Sequence, residues 1–131
     1  MKKRQLNVYI AITAFAAALM LGGFLLVSLF SGGVTAQMFE AVDQPARIAE
    51  RLAAAETPLR IILTLDNLFL MCYTAAFIFL AMRVGNKRNH ALMIVALGAL
   101  LVTTYLDLFE NHTLQMRIDS VAAGLPLEAA D

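Results

Sequence analysis

Residues 7–30 read NVYIAITAFAAALMLGGFLLVSLF, and none of these 24 side chains carries a charge. An α-helix rises about 1.5 Å per residue, so roughly 20 apolar residues suffice to cross a hydrocarbon core about 30 Å thick. Although Lys2, Lys3 and Arg4 precede this segment, it is longer than the apolar core of a signal peptide. It therefore predicts an uncleaved transmembrane helix.

Two more apolar segments predict transmembrane helices at about residues 58–83 and 90–111. Thr57 and Pro58 predict the start of the second span, because Thr is a good N-cap and proline is tolerated at the first helical position. The short segment RVGNKRN, residues 83–89, predicts an antiparallel hairpin of the second and third spans. We therefore expect an all-α integral membrane protein with three transmembrane helices.

Composition supports a membrane protein and disfavours several other classes. Of the 131 residues 60% are hydrophobic, and the mean hydropathy is +0.73, well above the values of soluble domains. Ten basic residues balance ten acidic ones, so no overall positive field favours nucleic-acid binding. The single cysteine, Cys72, excludes an internal disulfide and a CxxC motif.

The charges that flank the spans predict an orientation. One side carries Lys2, Lys3, Arg4, Arg83, Lys87 and Arg88. The other side carries four arginines mixed with acids, namely Arg47, Arg51, Arg60 and Arg117 with Glu40, Asp43, Glu50, Glu56 and Asp119. The positive-inside rule then places the N-terminus in the cytoplasm and the C-terminus outside. We expect a plasma membrane of the bacterial inner-membrane type.

Two amphipathic segments lie outside the predicted spans, in the outer loop 31–57 and in the C-terminal tail 112–131. In the loop, Asp43 is a plausible N-cap and Pro45 falls in the first turn of a helix. The apolar stripes of the two segments are Ile48 and Leu52, and Leu114, Ile118, Val121 and Leu125, before Gly124 and Pro126 end the second helix. Each helix is expected to rest on the outer membrane surface or on a partner, or simply to shield the span ends.

Three carboxylates fall within or at the edge of the apolar spans: Asp66, Asp107 and Glu110. A charged side chain at the centre of a bilayer costs about 2.5–3.5 kcal/mol or more, so such residues need partners and are candidates for function. Because the second and third spans are antiparallel, Asp66 and Asp107 are predicted at a similar level, several ångströms inside the outer leaflet.

Polar neighbours extend these carboxylates into a predicted polar cluster. Its members are Asp66, Asn67, Tyr73, Thr103, Asp107, Glu110, Asn111 and His112. If the helix faces meet, they form a pocket that could bind a hard cation through oxygen ligands, or a softer metal with His112. Other uses are a proton relay, recognition of a cation on a partner, and plain interhelical hydrogen bonding. The pattern identifies neither a catalytic residue nor a cofactor.

Small residues in the first span, Ala14, Ala18 and Gly22, predict close helix packing within the chain or with another subunit. The leading hypothesis is an accessory or structural subunit of a larger membrane assembly, whose partners are the lipid bilayer and other membrane subunits or a second copy. The alternative is a small ion- or proton-coupled transporter, metal-binding protein or membrane enzyme that uses the acidic cluster. Catalysis is disfavoured because no nucleophile–base pair is recognisable.

Overall fold

The described part of the chain forms three α-helices, each long and apolar enough to cross a membrane. The computed structural model describes residues 3–35, 45–86 and 88–125, without the side chains of 45–47. The helices are α1 (Lys3–Phe30), α2 (Pro45–Val84) and α3 (His90–Ala122). Within the described ranges there is no strand. The prediction of an all-α fold with three helices of membrane-spanning length is confirmed.

The predicted helix start at Thr57 and Pro58 is wrong, because α2 runs without interruption through Pro58. Its 40 residues correspond to about 60 Å, twice the thickness of a hydrocarbon core. α3 likewise continues past the expected end at Asn111 to Ala122. The two amphipathic segments are therefore extensions of α2 and α3 rather than separate helices. The predicted N-cap Asp43 lies outside the described residues.

Burial of one continuous apolar face explains why α2 continues past its proline. Leu52, Ala55, Leu59 and Leu63 form a buried cluster with Ile118 of α3. These α2 residues follow each other at helical spacing on both sides of Pro58, so one continuous helix buries them all. An internal proline costs about 3 kcal/mol, and burial of a single Leu side chain recovers about 1.5–3 kcal/mol.

The apolar stripes of the two extensions cover each other. Ile48 of α2 and Leu114 and Val121 of α3 pack around the same cluster, and Leu59 and Ile118 are only 0% and 1% exposed. The expectation that each stripe rests on the membrane surface or on a partner is therefore corrected. Two adjacent helix extensions bury their apolar faces most directly by packing against each other.

α2 is the central helix, and α1 and α3 pack against it while hardly touching each other. Across the α1–α2 interface the side chain of Arg83 donates to Asn7 Oδ1 at 3.0 Å, and the rings of Tyr9 and Phe79 stack with centroids 5.3 Å apart. These pairs join the start of α1 to the end of α2, so the two helices are antiparallel.

Within the described chain, α1 packs on α2 through small residues beside the stripe Ala14, Ala18 and Gly22. Ala17 is buried, and a Cβ on Gly23 would lie 3.3 Å from Leu65. Ala14 and Ala18 are exposed, and nothing lies within 4 Å of a Cβ built on Gly22. The stripe Ala14–Ala18–Gly22 therefore takes no part in the packing of the described chain, and its use by another subunit stays a prediction.

Glycines end the first and third helices in the same way. At the end of α3 the N–H of Leu125 donates to Ser120 O at 2.9 Å and that of Gly124 to Val121 O at 3.0 Å. This Schellman arrangement needs a left-handed residue, and Gly124 has φ +69°. The predicted stop at Gly124 is confirmed, while Pro126 lies outside the described residues. At the end of α1, Gly32 has φ +78° in an equivalent arrangement.

Candidate functional site

Asn111 of α3 forms hydrogen bonds to the carboxylate of Asp66 and to the side-chain amide of Asn67, both on α2. Its Nδ2 donates to Asp66 Oδ2 at 2.7 Å and to Asn67 Oδ1 at 2.9 Å. A side-chain amide has two N–H donors, so both are used. All three side chains are partly buried. The short hairpin predicts that these helix faces meet, and the structure brings these three residues together as expected.

A second polar contact lies seven residues closer to the hairpin on each helix, at a distance of about 10.5 Å along the helix axis. The Thr104 hydroxyl donates to Leu100 O of its own helix at 2.9 Å. It lies 2.9 Å from the hydroxyl of Thr74 and 3.3 Å from that of Tyr73. Since Thr104 has used its single proton, both α2 hydroxyls act as the donors. Thr74 and Thr104 are each only 8% exposed.

Adjacent threonines of α3 differ in role, and this difference gives a stability prediction. Thr104→Val removes the interhelical bonds and is expected to lower the free energy of unfolding by about 0.6–1.7 kcal/mol, the range of hydrogen bonds between membrane helices. Thr103 is exposed and its hydroxyl donates only to Ala99 O, at 3.1 Å. Thr103→Val should therefore change stability by less than about 0.5 kcal/mol. Detergent-based unfolding followed by circular dichroism measures both, and equal losses would contradict the assignment.

An ion pair joins α2 and α3 on the side of the Asn111 contact that is away from the hairpin. Arg60 Nη1 lies 2.6 Å from Asp119 Oδ1 across the two helices, and its Nε donates to Glu56 Oε1 at 3.0 Å on α2. From the threonine pair toward the ends of the helices that lie away from the hairpin, the polar contacts between α2 and α3 are first hydroxyls, then an amide with a carboxylate, and then an ion pair. The exposure of these side chains increases in the same order, from 8% at Thr74 and Thr104 to 35% and 56% at Arg60 and Asp119. This order is favourable because ions are costly to desolvate.

An open cavity of about 890 Å³ lies beside the Asp66–Asn111 contact. Because α1 and α3 hardly touch, the space between them is closed only by α2, with Phe24 as the α1 contribution. The charged side chains in its wall are Asp66, Asp107, Glu110 and Arg117. Its aromatic side chains are Phe24, Phe69, Tyr73, Phe77 and Phe109. This acidic cavity therefore combines an excess of carboxylates with large apolar walls.

The structure gathers most, but not all, of the predicted cluster at this cavity. Asp66, Tyr73, Asp107, Glu110 and Asn111 line it. Asn67 reaches the same group through Asn111. Thr103 and His112 are exposed and are not part of the cavity wall.

Sequence reasoning missed Thr104 and Arg117 as members of the site. Thr104 stands next to the predicted Thr103 and seven residues before Asn111, which places Thr104 and Asn111 on one helix face. Arg117 is predicted on the outer flank, yet it stands seven residues after Glu110, which places both on one helix face. That spacing was the available signal.

Two carboxylates of the cavity wall are accessible from the opening of the cavity. In the part of the chain that the structure describes, no three His, Cys, Asp or Glu side chains lie close enough together to hold a metal ion. Glu110 is exposed and Asp107 half-buried, so both carboxylates can reach a group that enters the cavity.

Comparison of the chain with known protein families, curated proteins and solved structures finds no match.

Proposed function

We propose that the protein is an accessory subunit of a larger membrane assembly and binds another chain through its transmembrane helices. The observation that carries this proposal is the acidic cavity, where Asp107 and Glu110 face an opening that no other helix of the described chain covers. The partner is a transmembrane helix that brings a Lys or Arg side chain into this cavity.

The depth of the carboxylates supports the need for a partner. Sixteen helical residues separate Ala91 from Asp107, about 24 Å along a hydrocarbon core about 30 Å thick. A carboxylate at this depth, facing lipid, is unfavourable and requires a counter-charge or water. Arg117 is the only basic side chain in the wall against three carboxylates, so a further cation from a partner improves the charge balance.

The apolar walls support a helix as the occupant. Packing, close backbone approach and interhelical polar contacts drive association inside a membrane, where no hydrophobic force acts between helices. Phe24 and Phe109 offer large surfaces at opposite sides of the cavity, and the exposed stripe Ala14–Ala18–Gly22 offers a second surface for close approach. In this proposal the basic ends of the helices face the cytoplasm of a bacterial-type plasma membrane, as the positive-inside rule indicates.

Site-specific photo-crosslinking in native membranes tests the proposal. A photoreactive residue at Phe109, 57% exposed in the cavity wall, is compared with one at Met71, 63% exposed on α2 and outside the cavity wall. We expect one discrete heteromeric adduct from position 109 and none from position 71. We also expect Glu110→Lys to abolish the adduct, because like charges across an interface are strongly unfavourable.

Two results would overturn this function. Equal crosslinking from both positions would show that the cavity is not a specific surface. An adduct that contains only two copies of this chain, or an adduct that survives Glu110→Lys, would exclude a cationic partner helix.

An ion or proton pathway has less support. Residues 75–80 of α2 and 91–101 of α3 contain no polar side chain, so the polar contacts end at Thr74 and Thr104. A transport route needs polar groups or water across the whole membrane. Under that alternative, Asp107→Asn would abolish transport by the purified protein in vesicles.

A further inference from the structure

We infer that the end of the bundle opposite the acidic cavity binds the headgroups of anionic phospholipids. This basic end is formed by the start of α1 and by the α2–α3 hairpin, and its described cations are Lys3, Arg4, Arg83 and Arg88. The inference is independent of the proposed partner, since it concerns different residues at the other end of the helices.

Although the net charge of the chain is zero, its acidic residues are confined to two segments of the sequence. Residues 1–39 and 67–106 contain six of the ten basic residues and no acidic one. Residues 40–66 and 107–131 contain all ten acidic residues and four arginines. The two groups therefore carry formal charges of +6 and −6. Within the ranges that the structure describes, no carboxylate lies in the segments that form the basic end.

Tertiary contacts bring the two basic segments together. The hydrogen bond from Arg83 to Asn7 joins the end of α2 to the first turns of α1. In the hairpin, Asn86 Oδ1 accepts from the N–H of Arg88 at 2.9 Å, and Asn89 Oδ1 accepts from the N–H of Asn86 at 2.8 Å. These bonds shape the loop that carries the exposed Arg88.

The surroundings of the cations point to a lipid rather than to another anion. Large apolar side chains stand next to the charges, with Val8 50%, Val84 52% and Leu92 73% exposed. A ligand that fits this surface has a phosphate followed directly by hydrocarbon chains, as an anionic phospholipid has. Clusters of four or more basic residues beside a transmembrane helix commonly attract such lipids, at about 1 kcal/mol for each Lys or Arg near the surface.

Native mass spectrometry of the detergent-solubilised protein tests this inference, with phosphatidylglycerol and phosphatidylcholine added in equal amounts. We expect preferential retention of phosphatidylglycerol, about fivefold weaker in Arg88→Gln and about a hundredfold weaker in Lys3→Gln/Arg4→Gln/Arg88→Gln. The matched control is Arg51→Gln, which removes an exposed arginine of α2 at the opposite end and should leave retention unchanged. Arg83 is kept because it also joins two helices.

Three outcomes would overturn the inference. The first is equal retention of the two lipids, and the second is an equal loss in Arg51→Gln and Arg88→Gln. The third is displacement of the lipid by inorganic phosphate beyond the effect of chloride at the same ionic strength, which would indicate a site for free anions. Unchanged helicity by circular dichroism verifies that the variants are folded.

Discussion

Replacement of Ile118 by alanine is expected to lower the free energy of unfolding by about 2–5 kcal/mol, the usual cost of truncating a buried Ile or Leu. Ile118 is 1% exposed and is the one buried α3 residue in the cluster with Leu52 and Leu59. Its truncation leaves a cavity in the apolar cluster that joins the two helix extensions. The loss should therefore fall near the upper end of this range.

Met116 provides the matched control on the same turn of α3. Its side chain is 45% exposed, so Met116→Ala should change stability by no more than about 0.5 kcal/mol. Denaturant-induced loss of helicity, followed by circular dichroism in one detergent, compares the two variants. Similar effects of both would show that the extensions of α2 and α3 do not pack on each other in the folded protein.

Asn111→Leu is expected to lower the free energy of unfolding by about 1–3 kcal/mol, the penalty for leaving partly buried polar groups without their partner. The substitution removes the donor of both Asp66 and Asn67 and retains an apolar side chain of similar size. Most of the loss comes from the Asp66 carboxylate, because a charge inside the membrane depends on its few polar contacts.

A double-mutant cycle separates this contact from general effects of the substitution. In Asp66→Leu/Asn111→Leu the carboxylate is replaced together with its donor and only Asn67 loses a partner, so we expect much of the stability to return, with a coupling energy of about 0.5–3 kcal/mol. The neighbouring His112 is exposed, and His112→Leu should be nearly neutral. Strictly additive losses at positions 66 and 111 would mean that the two side chains do not interact.

Local properties of the sequence are enough to predict the helices and part of the site. Length and hydropathy indicate three spans, and α1 ends at Phe30 and α3 begins at His90 as expected. The short hairpin requires α2 and α3 to be antiparallel, which brings Asp66 to the level of Asn111. Both inferences depend only on the rise of a helix and on chain connectivity.

Rotation of each helix about its axis could not be predicted in the same way. In a largely apolar helix, few polar residues are present to indicate which face is buried. The small-residue pattern therefore suggested Ala14 and Ala18 where Ala17 packs, and Thr103 was selected where Thr104 is buried. These differences are of one residue, or about 100° around the helix, and are decided by contacts with α2.

By itself, the sequence determined that this chain forms three apolar helices, with acidic residues gathered at one end and six cations at the other. Only the tertiary structure decided that α2 continues through Pro58, that the two amphipathic extensions bury each other, and that α1 and α3 leave a cavity between them. The physical reason is that hydropathy and helix rise belong to single segments. Burial of Leu59 against Ile118, which favours the uninterrupted helix over a break at the proline, depends on two segments that are far apart in the chain.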